Sequence, residues 1–129
     1  MISLIEYATI EYLKKDAQKE GIAFAKKTLY FGYLNAENDL LGVGGLLLYK
    51  SKVVFKSLYV LPAYRRKGIC KKILNALIQY ALSLNIQYGE ATCTQASYSM
   101  FIKRGFKVKR KYRNFVKVCH ENLSQAICI

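Results

Sequence analysis

Apolar and polar positions change period several times along this chain, and each change predicts an element. Ile2 to Tyr7 alternates as a short strand. Thr9 is placed to cap a helix with Tyr12 and Leu13 on its inner side, running through Lys14–Lys15–Asp16–Ala17 and stopping near Gly21. Thr28 to Leu34, rich in aromatic and β-branched residues, reads as a strand, and Asn35 to Asp39 has the composition of a turn. Leu40 to Tyr49 is a strand with Gly42, Gly44 and Gly45 inside it, joined through Lys50–Ser51 to Val53–Leu61, which Pro62 ends. From Gly68 to Leu84 the period becomes helical, with Ile69, Cys70, Ile73, Leu74, Leu77, Ile78 and Ala81 on one side and Lys71, Lys72, Asn75 and Gln79 on the other. Tyr88 to Thr94 is a strand, and Ser97 to Lys103 is a short helix closed by Gly105. Phe106–Lys111 and Phe115–Cys119 form a hairpin around Tyr112–Arg113–Asn114. This order predicts an α/β fold with a mixed sheet, in one domain over residues 1–129, and not a doubly wound parallel sheet.

Composition supports a packed domain, since 53% of residues are hydrophobic. The longest apolar stretch, Leu40 to Tyr49, is ten residues and too short to span a bilayer, so no membrane association is expected. Met1 to Ile10 has no basic opening and contains Glu6, unlike a signal peptide, which favours the cytoplasm. Cys70, Cys93, Cys119 and Cys128 form no Cys-x-x-Cys pair and His120 is the single histidine, so no metal is expected and all four cysteines read as reduced thiols.

Charge is the outstanding compositional fact. The net charge is +13, unevenly spread: residues 1–40 hold five basic and six acidic side chains, residues 41–129 sixteen and two. A field of this sign gathers anionic ligands, either nucleic acid or a polyphosphorylated cofactor. Lys103 to Lys117 carries eight Lys or Arg and no acid, interleaved with Phe106, Tyr112 and Phe115, which would suit single-stranded nucleic acid. The same alternation suits a half-exposed strand, and nucleic acid is the lesser expectation. A polycationic ligand would be repelled by the same field, so one in a neutral or acidic setting is favoured.

The most informative stretch is Tyr59–Val60–Leu61–Pro62–Ala63–Tyr64–Arg65–Arg66–Lys67–Gly68–Ile69–Cys70. A strand ends, a basic loop follows and an amphipathic helix begins. A helix start offers unpaired N–H groups and the positive end of the macrodipole, and Gly68 lets a ligand approach the backbone. Such a place suits a diphosphate.

Here the chain resembles the GCN5-related N-acetyltransferases. Their signature is Arg or Gln, two residues, Gly, one residue, then Gly or Ala; Arg65–Arg66–Lys67–Gly68–Ile69–Cys70 follows it, with Cys70 as the departure. Leu58 to Arg65 is similar to the family's strand and loop in the same register, and Lys103–Arg104–Gly105–Phe106 to the end of its short helix. The resemblance implies a mostly antiparallel twisted sheet flanked by helices, with splayed fourth and fifth strands, here Val53–Leu61 and Tyr88–Thr94. It implies acetyl-CoA as co-substrate, its diphosphate on the N–H groups from Arg66 to Cys70, with charge from Arg65, Arg66 and Lys67. Leu58, Tyr59 and Val60 would meet the pantetheine arm through main-chain groups, and the Val60 N–H would polarise the thioester. Phe101 stands where many relatives carry a tyrosine acid, and counts here among the cofactor contacts. Tyr98, one turn earlier, is the substitute candidate acid. Lys56 and Ser57 replace a carboxylate base on the fourth strand. Glu90 is then the nearest candidate base, although a solvated side chain is the commoner fate of a glutamate. The acceptor implied is an amine on a small molecule or peptide. The alternatives are a degenerate domain that binds coenzyme A without turnover and a basic nucleic-acid module. Oligomeric state is open, a homodimer included.

Overall fold

The computed structural model describes residues 1–127. The expectation of a reduced thiol at Cys128 falls outside them; Cys70, Cys93 and Cys119 are free thiols.

Among the described residues a seven-stranded sheet runs in the order β1-β2-β3-β4-β5-β7-β6. The strands are β1 (Ile2–Ile5), β2 (Leu29–Leu34), β3 (Leu40–Leu48), β4 (Lys52–Val60), β5 (Tyr88–Cys93), β6 (Lys107–Lys111) and β7 (Val116–His120). Every pairing is antiparallel except β4 with β5. The mixed, mostly antiparallel sheet expected from the sequence is therefore present, flanked by helices α1 (Tyr7–Ile10), α2 (Lys14–Lys19), α3 (Ile69–Ser83) and α4 (Gln95–Lys103).

The apolar stripe of α3 lies on β2, β3 and β4. Ile73, Leu74, Leu77, Ile78 and Ala81 are fully buried there, as the period predicts. The strand glycines allow this close contact: a Cβ at Gly44 would stand 2.7 Å from both Ile73 Cγ2 and Leu58 Cδ2. Gly44→Ala is expected to destabilise by about 2 kcal/mol through overpacking, read as a lower urea midpoint at constant m-value.

A smaller core lies under α1 and α2, where Ile10, Leu13 and Ala17 meet Tyr30, Val43 and Tyr59. The expected inner side was Tyr12 and Leu13, but Tyr12 is 62% exposed. The helix breaks into a 3₁₀ turn at Glu11–Leu13, whose three-residue period stacks Ile10 above Leu13 and turns Tyr12 outward. The Tyr12 hydroxyl donates to the Leu40 carbonyl at 3.0 Å. The helical stretch also begins at Tyr7, with Glu6 rather than Thr9 at the cap position.

Two features were not legible in the sequence. Arg104, counted with the exposed basic stretch, is 6% exposed. It donates to Asn75 Oδ1 at 2.5 Å and to the carbonyls of Ala126 (3.0 Å) and Lys71 (3.2 Å), tying α4 to α3 and to the C-terminal turn. In that turn Leu123 and Ala126 are fully buried. The expected half-exposed strand at 106–111 is also corrected. Phe106 drops into the core ahead of β6, and all five residues of the edge strand β6 are exposed, with a register shift between Val108 and Arg110.

Candidate active site

β4 and β5 pair only from Lys52–Tyr88 to Phe55–Ala91 and then separate. The opening is a cleft of about 750 Å³. A bulge in β4 lies at its edge: Gly45 pairs with Lys56 and Val43 with Tyr59, so Ser57 and Leu58 both oppose Gly44. Ser57 takes a left-handed φ of 59°, and its Oγ donates to the Ala23 carbonyl at 2.5 Å. Beyond the bulge the Leu61 N–H reaches the Leu41 carbonyl at 2.9 Å. Peptide groups alternate along a strand, so the Val60 N–H and C=O point away from β3 into the opening. The Val60 carbonyl there accepts the Arg65 Nε–H at 2.8 Å. The Tyr59 side chain is buried in the smaller core, with the Arg65 guanidinium 5.5 Å from its ring centroid.

At the end of β4 a 3₁₀ turn at Pro62–Tyr64 leads into the basic loop. Arg66 (φ 64°) and Gly68 (φ 79°) are both left-handed, and an added Cβ at Gly68 would meet nothing within 4 Å. Among the described residues no side chain caps the N-terminal turn of α3. Left-handed residues beside an open helix start present convergent N–H groups, a concavity that fits a phosphate chain. Arg66, Gly68, Ile69 and Cys70 line the cleft with Leu58, Tyr59 and Val60. Lys67 is not among the lining residues; its ammonium lies 5.4 Å from the Tyr64 ring centroid. Arg65 lines the cleft with its charge already engaged: Nη2 donates to Glu20 Oε1 and Oε2 at 2.8 and 2.7 Å. The ion pair straps the end of α2 to the loop, which the sequence reading missed.

Phe101 is 2% exposed, lines the cleft and packs edge-on against Phe106 at 5.0 Å. Tyr98 lies apart from it, in an adjoining groove between α4 and the β6–β7 turn. Cys70 and Cys93 line the cleft, and burial raises both thiols, Cys93 to about 11, so neither is a thiolate at neutral pH.

Glu90 is where the structure departs furthest from expectation. It is 1% exposed, not solvated, and it does not line the cleft. Its carboxylate takes Lys52 Nζ at 3.2 Å and Lys117 Nζ at 3.7 Å on Oε1, and Lys109 Nζ and the Tyr88 hydroxyl (2.9 Å) on Oε2. One buried acid thus joins β4, β5, β6 and β7. Burial alone would raise its carboxyl, but hydrogen bonds from Lys109, Tyr88 and Lys52 outweigh this and hold it at about 2. A carboxylate so held is a poor proton acceptor near neutral pH. The sequence did hold a signal: Glu90 is the one acid between Leu40 and His120, in the cation-rich half of the chain.

The sequence profile of the Acetyltransferase (GNAT) family matches residues 3–106, and the chain belongs to that family. No curated protein matches it. Solved structures share the fold at low identity. A putative N-acetyltransferase from Lactobacillus plantarum has a TM-score of 0.77 at 18% identity, covering 95% of this chain and 98% of its own. Mutant forms of the spermidine/spermine N-acetyltransferase from Vibrio cholerae give 0.76 at 12%, covering 98% and 95%. The ribosomal-protein-S18-alanine N-acetyltransferase from Escherichia coli gives 0.75 at 14%, covering 92% and 90%.

Proposed function

We propose that this protein transfers an acetyl group from acetyl-CoA to an amine by direct attack in a ternary complex. The observation that carries the reading is the uncapped start of α3 behind left-handed Arg66 and Gly68, opening onto the cleft where β4 and β5 part. The N–H groups from Arg66 to Cys70, with the Arg66 charge, hold the diphosphate. Peptide groups of Leu58 and Val60 hold the pantetheine arm, and the Val60 N–H stabilises the developing oxyanion. Arg65 acts as the strut that positions the loop, since Glu20 has claimed its charge. The amine acceptors named for the Vibrio and Escherichia proteins support an amine here.

Acetyl-CoA supplies an activated thioester: the amine nitrogen bonds to the carbonyl carbon, the C–S bond breaks, and the proton lost from nitrogen passes through water to sulfur. No side chain is assigned as base or acid. Glu90 is held charged by lysines, Tyr98 lies in the adjoining groove, and Lys56 and Ser57 stand on β4 where a carboxylate would be. A positioned proton donor or acceptor contributes about 10²–10⁴-fold. Orientation of two bound reactants supplies roughly 7–11 kcal/mol. A thiol leaving group with a pKa near ~8.5 departs without an acid. Catalysis therefore survives on binding geometry.

Phe101→Tyr is expected to raise turnover or leave it unchanged, because the ring already lines the cleft and the hydroxyl adds a donor. A large loss of kcat with an unchanged melting temperature would show that the cleft requires the bare ring. The function itself is tested by acetyl-CoA-dependent thermal stabilisation, followed by an amine panel read by mass spectrometry. Stabilisation without transfer to any amine would assign a coenzyme A-binding domain instead. Stabilisation by oligonucleotides alone, steeply salt-dependent, would assign a nucleic-acid module.

A further inference from the structure

The cleft continues into the groove between α4 and the β6–β7 turn, through the shared residues Cys93, Thr94, Asn114 and Phe115. The charges along this path are one-sided. Of the eight Asp and Glu side chains, all among the described residues, only Glu20 lines the cleft, and both its oxygens are taken by Arg65. Among the described residues no Asp or Glu side chain lines the groove, whereas Lys111 and Arg113 do. Lys56 adds a further cation to the cleft wall on β4, away from the phosphate loop that holds Arg66. The turn that carries Arg113 is braced by Tyr112 and Phe115, stacked at 4.5 Å and 25°, with the Arg110 guanidinium 5.2 Å from the Tyr112 centroid. Tyr112 and Phe115 are 41% and 40% exposed, so the groove pairs an aromatic wall with two cations.

From this we infer that the acceptor is a primary amine on a molecule that also carries an anionic group, carboxylate or phosphate, held by Lys111 and Arg113, and that polyamines are poor substrates. The inference rests on the acetyltransferase reading above. A second ammonium on the acceptor would meet Lys56, Lys111 and Arg113, with no Asp or Glu side chain among the described residues left open to receive it. An anionic group meets two donors and an aromatic surface for the chain that joins it to the amine. The same cationic wall disfavours the protonated form of the attacking amine. This bears on deprotonation in a cleft with no assigned base.

The test uses ω-amino acids with two to five methylenes, their amides, the matching α,ω-diamines and the ω-aminoalkyl phosphates. Within each length the amine is constant and only the remote charge changes. The expected order of kcat/KM is anion above amide above ammonium, with at least about tenfold between the extremes at low salt, narrowing at high salt. The double variant Lys111→Gln with Arg113→Gln is expected to collapse the order. Lys107→Gln, an exposed change on β6 outside the groove, is expected to leave the order intact. Binding of the same compounds to protein saturated with coenzyme A, measured by calorimetry, gives the order independently of turnover. Diamines equal to or better than the anionic amines in both readouts, or an order the double variant does not change, would overturn the inference. Acetyl-CoA stabilisation on the same samples separates the two failures: if it is absent, the acetyltransferase reading falls as well.

Discussion

Gly68→Asp is expected to weaken acetyl-CoA binding about 100-fold while leaving the fold in place, an effect of about 3 kcal/mol. The position is left-handed, and aspartate enters that region more readily than most residues, at a cost of about 1 kcal/mol. A Cβ there meets nothing within 4 Å, so the strain is confined to the backbone. The damage falls on the ligand. A fixed negative charge beside the uncapped first turn of α3 repels a diphosphate and competes for the same N–H donors. Gly68→Asn places a similar shape there without the charge and is expected to lose roughly tenfold, the difference isolating electrostatics from bulk. Titration by calorimetry, with the melting temperature of each variant, separates affinity from stability. Unchanged affinity in the aspartate variant would mean that the diphosphate lies elsewhere.

Glu90→Gln is expected to destabilise the protein by about 2 kcal/mol at pH 7, and the difference should fade in acid. The carboxyl moves from an ordinary 4.5 to about 2 on folding. Linkage over that interval gives roughly 3 kcal/mol. The three lysine side chains are 35–46% exposed and can swing into water, which reduces the figure. Because the folded carboxyl titrates below the unfolded one, its stabilisation is complete above about pH 4.5 and is lost as pH falls toward 2. Wild type and variant should therefore differ in urea midpoint at pH 7, less at pH 3, and converge only as the pH falls to about 2 and below. Turnover per folded molecule should escape the 10²-fold or greater loss expected on removing a general base. A loss of that size with intact stability would restore Glu90 as the base.

Much of the fold was legible because its signals are local. The stripe on α3, the turn at Asn35–Asp39 and the glycine that opens the helix each depend on neighbours within a few residues. Even the parting of β4 and β5 was expected, through family resemblance rather than through any pattern in those strands. The phase of the first helix was not legible, because a 3₁₀ turn changes the period inside the element. Nor was the fate of individual charges. Arg65 was assigned to the diphosphate, Glu90 to solvent or a base, and Arg104 to an exposed basic stretch, because a sequence pattern does not say which distant group will meet each of them.

The chain by itself determined the order of elements, the cationic balance and the glycine at the mouth of α3. These follow from residue type and short-range spacing. Folding in three dimensions was needed to bring Glu20 to Arg65, 45 residues away, and to make Lys52, Lys109 and Lys117 converge on a single buried carboxylate. Among the described residues it also left the groove beside Tyr98 with cations and no Asp or Glu side chain. The physical reason is that Coulomb and hydrogen-bond energies depend on distance through space, and distance through space is set by strand pairing.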